Sequence, residues 1–320
     1  MPNKNIHIVG CGGLGHAALM AIVSGFDAAF PLCITLIDGD RVELSNLNRQ
    51  VFFTEHDLGR SKPTATEENI HVLFCDIAER KISIACVETN VHAENISALL
   101  KNSNYVIDAT DSVDTKFLIN DFCTLYKIPF CYAGASGTHG QLMHVNPLSS
   151  KFACLRCLFG NESAIQCDGL NATCRESGIL GAVVGHIGLL QGTAAVEHIS
   201  EKIITEAHPC LLRFALEEPQ IKYSRVEPSN QCPNGCGTRP QKLLNLSEEK
   251  CPMTFLHTKI ALENMDFESR LNVILNSHDT CMSVGHSCRE EGYDIVEMRE
   301  IFSSGSWLLR LEKGSLRTRD

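Results

Sequence analysis

Two pairs of closely spaced cysteines and one glycine loop carry the most chemistry. Cys154-Leu155-Arg156-Cys157 is a CxxC, and Cys232-Pro233-Asn234-Gly235-Cys236 follows about 75 residues later. Four thiolates at such spacings can form a tetrahedral Zn²⁺ site, structural when the protein supplies every ligand. The other reading is two unrelated pairs of free thiols. Near the N-terminus, Gly10-Cys11-Gly12-Gly13-Leu14-Gly15 follows a β-branched run and opens a helical pattern. Such glycines permit a tight turn and bring a phosphate close to a helix N-terminus. Asp38 ends the next strand, where a ribose-binding acid belongs. Taken alone, this loop fits a nicotinamide-dependent dehydrogenase equally well.

The next stretch separates the two. The run Asp38-Gly39-Asp40-Arg41-Val42-Glu43-Leu44-Ser45-Asn46-Leu47-Asn48-Arg49-Gln50 precedes Leu58-Gly59-Arg60-Ser61-Lys62-Pro63. Arg49 offers a bidentate fork and Lys62 a point charge, both suited to a triphosphate. Asp108-Ala109-Thr110-Asp111 closes a strand at the carboxyl edge of a sheet, where ligands of such folds bind, and a carboxylate there suits Mg²⁺ held between phosphates. Two further thiols have reactive settings. Cys174 sits beside Arg175, which favours the thiolate, in the loop Gly160–Gly178 that also bears Cys167; the plain alternative is an exposed bystander. Cys251-Pro252-Met253-Thr254 lies between a strand and a helix N-terminus, whose dipole stabilises a thiolate, and otherwise reads as a structural Cys-Pro turn.

In this order the residues resemble the ThiF/MoeB-type, ubiquitin-activating-enzyme-like adenylyltransferases, which include the bacterial activators of thiamine and molybdopterin sulfur carriers. The resemblance covers roughly residues 4–240. It implies an ATP site that includes Gly10, Gly12, Gly13, Gly15, Asp38, Asp40, Asn46, Arg49, Gln50, Lys62 and Asp111. Gly12 and Asp38 would hold adenosine and ribose, Asn46, Arg49 and Lys62 the phosphates, and Asp111 the Mg²⁺. The implied reaction joins the C-terminal glycine carboxylate of a ubiquitin-like protein to AMP and releases pyrophosphate. Cys174 aligns with the loop cysteine of sulfur-transferring relatives. Residues 242–313 resemble the small TusA-like sulfur-relay proteins, whose Cys-Pro-x-Pro motif here has Thr254 in place of the second proline. The catalytic set expected is therefore Arg49, Lys62, Asp111, Cys174 and Cys251, with Cys154, Cys157, Cys232 and Cys236 on zinc.

The partners implied are a ubiquitin-like (β-grasp) sulfur carrier ending in Gly-Gly, a cysteine desulfurase or other persulfide donor, and a second copy in a homodimer. Close relatives carry an N-terminal helix whose Arg reaches the partner subunit's ATP, whereas this sequence opens on its first strand. It ends Thr318-Arg319-Asp320 without Gly-Gly, which reads as an activator and not a carrier. Two rival functions remain. One is adenylation of a peptide or small-molecule carboxylate in natural-product biosynthesis; the other is a non-catalytic nucleotide-binding scaffold for sulfur-relay proteins.

The elements that must position these residues follow from periodicity. Strands at Ile6–Gly10, Ile34–Asp38, Ser83–Val87, Tyr105–Ala109 and Phe130–Ala133 alternate with helical stretches at Gly13–Phe26 and Lys116–Tyr126. This predicts an α/β fold: a doubly wound, mostly parallel, Rossmann-like sheet with helices on both faces. An apolar helical segment, Leu180–Ile204, carries Gly181, Gly185, Gly188 and Gly192, spaced for close backbone approach in the core or at a subunit contact. Composition shifts at Pro228–Gln241, and the signals beyond read β-α-β-α-β-β, a second, smaller two-layer α/β domain. The expected domains are 1–240 and 241–320.

Composition bounds the rest. The chain has 320 residues, 44% hydrophobic and 21% charged, which excludes collagen-like and disordered classes. A formal net charge of -10 argues against a general nucleic-acid binder, and no apolar run is long enough to cross a bilayer. With no signal-peptide pattern at Met1–Gly10, the sequence reads as cytoplasmic. There the 16 cysteines are expected to pack as small hydrophobes, bind metal or do redox chemistry.

Overall fold

The computed structural model describes residues 3–27, 30–149, 152–160, 178–201, 210–236, 241–250, 253–267, 269–302 and 305–313. The chain divides into two compact units, Met1–Val91 with Ala98–Gly237, and Thr238–Asp320 with His92–Ser97.

In the large unit the β-branched runs become β1 (Lys4–Val9), β2 (Leu32–Ile37), β3 (Ile82–Val87), β4 (Tyr105–Asp108) and β5 (Phe130–Ser136). They lie parallel in the order β3-β2-β1-β4-β5. Ile6, Ile8, Ile34 and Ile107 are fully buried, as strands covered on both faces require. The order reverses between β1 and β4, and a crevice opens at such a switch point, outside the carboxyl ends of the strands. Three further strands, β6 (His139–Val145), β7 (Cys210–Ala215) and β8 (Glu218–Arg225), extend the sheet antiparallel beyond β5. Periodicity did not anticipate them. Gly137 at φ 57° lets the chain reverse between β5 and β6 within two residues, so their apolar runs read as one stretch.

The helices of this unit are α1 (Gly13–Gly25), α2 (Lys62–Leu73), α3 (Ile96–Leu100, whose first two residues are assigned to the other unit), α4 (Val113–Tyr126), α5 (Leu155–Phe159) and α6 (Gly181–Ile199). Pro63 stands in the first turn of α2, where its missing N–H costs nothing. Ser112 caps α4 by accepting the Thr115 N–H at 3.3 Å. The glycine-rich helix is a core helix, and its close approach is to α1. A Cβ on Gly188 would come 2.4 Å from the Leu14 carbonyl oxygen, and one on Gly192 would come 2.3 Å from that of Ala18. Packing this close seats α1, and with it the glycine loop at its start.

The small unit is β9 (Gln241–Asn245), α7 (Met253–Glu263), β10 (Arg270–Leu275), α8 (His278–Glu290), β11 (Asp294–Ile301) and β12 (Ser306–Glu312). Its sheet order is β11-β12-β10-β9, with β9 parallel to β10 and the other pairs antiparallel. Alternate residues Leu271, Val273, Leu275, Leu309 and Leu311 face Leu262, Cys281 and Val284 from the helices. Among the described residues no helix is long and apolar enough to cross a membrane.

Candidate functional site

A cleft of about 1100 Å³ lies at the switch point. It is lined by Gly10, Gly12, Gly13, Asp38, Asp40, Asn46, Arg49, Gln50, Lys62 and Asp111, which are spread over a hundred residues of sequence. Gly15 does not line it. A Cβ there would meet the Gly10 carbonyl oxygen at 2.0 Å, so this glycine serves the packing of α1 on β1 and belongs to the frame. Gly10 itself has φ 101°, the left-handed region where glycine is favoured, and bends the chain out of β1.

Asp38 anchors the cleft floor. Its Oδ2 accepts the Cys11 N–H at 2.7 Å and its Oδ1 the Asp40 N–H at 2.8 Å, which ties the end of β2 to the glycine loop. Burial raises its pKa against the opposing pull of the Lys62 charge. Lys62, buried at the start of α2, donates to Asp40 Oδ2 at 2.7 Å, so the cation is held over the cleft before any phosphate arrives. The Asn46 side chain accepts the Glu43 N–H at 3.0 Å and closes the short 3₁₀ turn that precedes Arg49. Arg49, half-buried, donates to the Ser45 carbonyl and to Asn48 Oδ1. Gln50 is buried on the wall, and its Oε1 has no hydrogen-bond partner among the described residues. Asp111 is exposed on the cleft rim, an oxygen donor of the kind Mg²⁺ takes.

Two buried polar residues, one behind the cleft and one lining it, escaped the motif reading. His16 is fully buried, stacked on Phe52 at 4.7 Å and edge-on to Phe53 at 4.5 Å. Its Nδ1 accepts the Phe52 N–H, which leaves Nε2 to donate to Thr66, and burial pushes its pKa down to about 3. The neutral ring thus joins α1, the Arg49–Phe53 segment and α2. Lys116, on α4, lines the cleft with its ammonium 3.3 Å from Asp108 Oδ1. The signal in the sequence was a lysine on the buried face of an apolar helix.

The four cysteines also converge. Their sulfurs all lie within 4.8 Å of one another, with Cys154–Cys232 and Cys232–Cys236 each at 3.6 Å. A tetrahedron with Zn–S bonds of about 2.3 Å has edges of about 3.8 Å, so the set fits zinc. The extra residue in the second pair is absorbed by a turn in which Gly235 (φ 74°) donates its N–H to the Cys232 carbonyl. Hydrogen bonds from Cys154, then from Cys232 and Cys236, hold the Cys157 thiol below the ordinary thiol range. Both pairs are tied to α4: Arg156 makes a bidentate contact with Asp121, and Asn234 donates to the same carboxylate at 2.8 Å. Cys174 and Cys251, with Cys167 and Arg175, lie outside the described residues.

Known proteins resemble the chain over both units. The family model described as ThiF family matches residues 1–234, and the one described as Sulfurtransferase TusA matches residues 242–313. The chain is 30% identical over 290 residues to the adenylyltransferase and sulfurtransferase MOCS3 of Anopheles gambiae, which covers 89% of this chain and 61% of that protein. Over 248 residues it is 29% identical to the sulfur carrier protein ThiS adenylyltransferase of Bacillus subtilis (strain 168), covering 76% and 67%. A MOCS3 of Caenorhabditis briggsae is 32% identical, and the match spans 56% of its length. The chain thus spans little more than half the length of these MOCS3 relatives. Among solved structures, Escherichia coli MccB superposes with a TM-score of 0.60 at 19% identity, covering 73% of this chain and 66% of that one. That likeness bears on the fold.

Proposed function

The chain belongs to the ThiF family, and from that premise we propose that it uses ATP to adenylate the C-terminal glycine carboxylate of a ubiquitin-like sulfur carrier. The observation that carries this reading is the single cleft lined by the glycine loop, Asp38, Arg49, Lys62 and Asp111. Such a site gathers two anions, a triphosphate and a carboxylate, and must neutralise charge as it grows on the α-phosphoryl group. Arg49 and Lys62 bind phosphate oxygens, with Lys62 released from Asp40 as they arrive. Asp38 takes the ribose. Asp111 would hold Mg²⁺, which supplies further neutralisation between phosphates when bound. The carrier's carboxylate oxygen attacks the α-phosphorus, and pyrophosphate leaves.

The TusA match at residues 242–313 supports a second step on the same carrier. A persulfide on Cys251 delivers sulfur to the acyl-adenylate, directly or through Cys174, and AMP leaves; a thiol then cleaves the sulfur–sulfur bond to free the thiocarboxylate. The upstream donor is a cysteine desulfurase or another persulfide protein, and the working form is a homodimer. The test is ATP–pyrophosphate exchange with Gly-Gly-ended carriers, each beside a tail-truncated control. Exchange should require the intact tail, should vanish in Asp111→Ala and should survive Cys251→Ala, which stops sulfur delivery alone. Exchange supported by a short peptide, or ATP binding without exchange on any carrier, would overturn the reading.

A further inference from the structure

The cleft contains a buried cation that no motif accounts for. Lys116 is only 6% exposed yet lines the cleft. Its ammonium donates to the Ala133 carbonyl at 2.6 Å and lies 3.3 and 3.4 Å from the two carboxylate oxygens of Asp108. Asp108 is itself fixed by the N–H and hydroxyl of Thr110, at 3.1 and 2.7 Å. An ammonium has three donors. The carbonyl takes one and the carboxylate a second, which leaves one N–H beside the ring of Tyr132, a cleft-lining residue whose ring centre is 5.0 Å from the ammonium.

The two buried lysines stand on different sides of the switch point. Lys62 is held by Asp40, just beyond β2, whereas Lys116 is held by Asp108 at the carboxyl end of β4 and by Ala133 in the middle of β5. A nucleotide with its ribose at Asp38 and its phosphates at the start of α1 occupies the β1–β2 side. Whatever becomes joined to its α-phosphorus then lies towards β4 and β5. That wall is made of Gly134, Ala135, Tyr132 and Gln141. Gly134 is tightly placed there: a Cβ on it would come 3.1 Å from the Tyr132 hydroxyl, which accepts from Gln141 Nε2 at 2.6 Å.

Building on the adenylation reading, we propose that Lys116 binds the group being activated. Its remaining N–H holds the incoming carboxylate and then the acyl carbonyl of the adenylate, while Asp108 and Ala133 fix the ammonium. The lysine exchanges no proton in this step. One carboxylate oxygen forms the bond to the α-phosphorus, the bond from that phosphorus to the bridging oxygen breaks, and the other carboxylate oxygen stays with Lys116.

The test needs no carrier. ATP, AMP and 5′-O-(glycylsulfamoyl)adenosine, whose glycyl carbonyl copies the acyl group, are titrated calorimetrically into the full chain. Removing Lys116 alone would strand the buried Asp108 carboxylate, so the main variant is Lys116→Met with Asp108→Asn. The wild type should bind the glycyl compound at least about tenfold more tightly than AMP, the scale of one charge-assisted hydrogen bond. The double variant should lose that preference and keep its ATP affinity within about twofold. Lys116→Arg, with the charge kept and the donors displaced, should also lose part of the preference. Equal losses for ATP and the glycyl compound, or an intact preference in both variants, would overturn the role of Lys116. A wild type that binds ATP but shows no preference would instead overturn the adenylation reading itself.

Discussion

The cleft and the cysteine cluster lie in the same unit and solve opposite electrostatic problems. In the cleft every buried cation already has an anion: Lys62 has Asp40 and Lys116 has Asp108. Such pairs can stand without a ligand and hand a donor to one when it comes. In the cluster four sulfurs crowd within 4.8 Å, and ionising several of them sets like charges side by side. That repulsion is removed by keeping the thiols protonated or by a cation bound among them. The difference is that the cleft's buried charges are paired within the protein, whereas the cluster presents four sulfurs in the geometry zinc takes.

The sharpest way to break that comparison is Lys62→Ala. The partner left behind, Asp40, is more than half exposed and can be hydrated, so folding should change little. Pyrophosphate exchange should fall by about 10²- to 10³-fold, the usual cost of a lost donor at a developing charge. A large drop in melting temperature would make Lys62 structural and erase the distinction. The converse experiment challenges the cysteine cluster as a zinc site. Stripping with a strong chelator, or Cys236→Ser, should lower the melting temperature by about 10 °C, and activity should fall only as the protein unfolds. An unchanged melting curve, with no zinc in the purified protein, would return the cluster to four free thiols.

The smallest effect concerns the frame behind the cleft. Burial lowers the pKa of His16 to about 3 and those of His7 and His144 to about 4, against 6.5 for a free histidine. These rings fold neutral, and the unfolded chain takes up protons below about pH 6.5. Their contribution is therefore complete above that pH and is lost as pH falls towards 4. The denaturant midpoint should decline over this window, and His16→Gln should flatten the slope by about one proton. A midpoint that is flat from pH 7 to 4.5 would rule this out.

The residues that could be read from the sequence are those whose chemistry is written in local spacing. A glycine loop between a β-branched run and a helical pattern has few other uses, and the cleft contains it together with Asp38, Asn46, Arg49, Lys62 and Asp111. The cysteine spacing likewise marked four residues that meet in space. Helix α2 went unread because Lys62, Pro63 and Glu67 look like loop chemistry, and its apolar stripe is short. Gly15 looked like a ligand residue because the motif counts glycines without saying which face the ligand and which face β1.

What the sequence determined by itself was the alternation of strand and helix and the identity of the charged and sulfur-bearing groups, since these depend on neighbours a few residues apart. Tertiary structure alone decided that β6 to β8 turn back antiparallel, that Gly188 and Gly192 of α6 meet α1, and that Lys116 faces the cleft. Each of those rests on contacts between residues far apart in the chain, such as Lys116 with Ala133 or Gly188 with Leu14, and local spacing carries no record of which distant surface a side chain will meet.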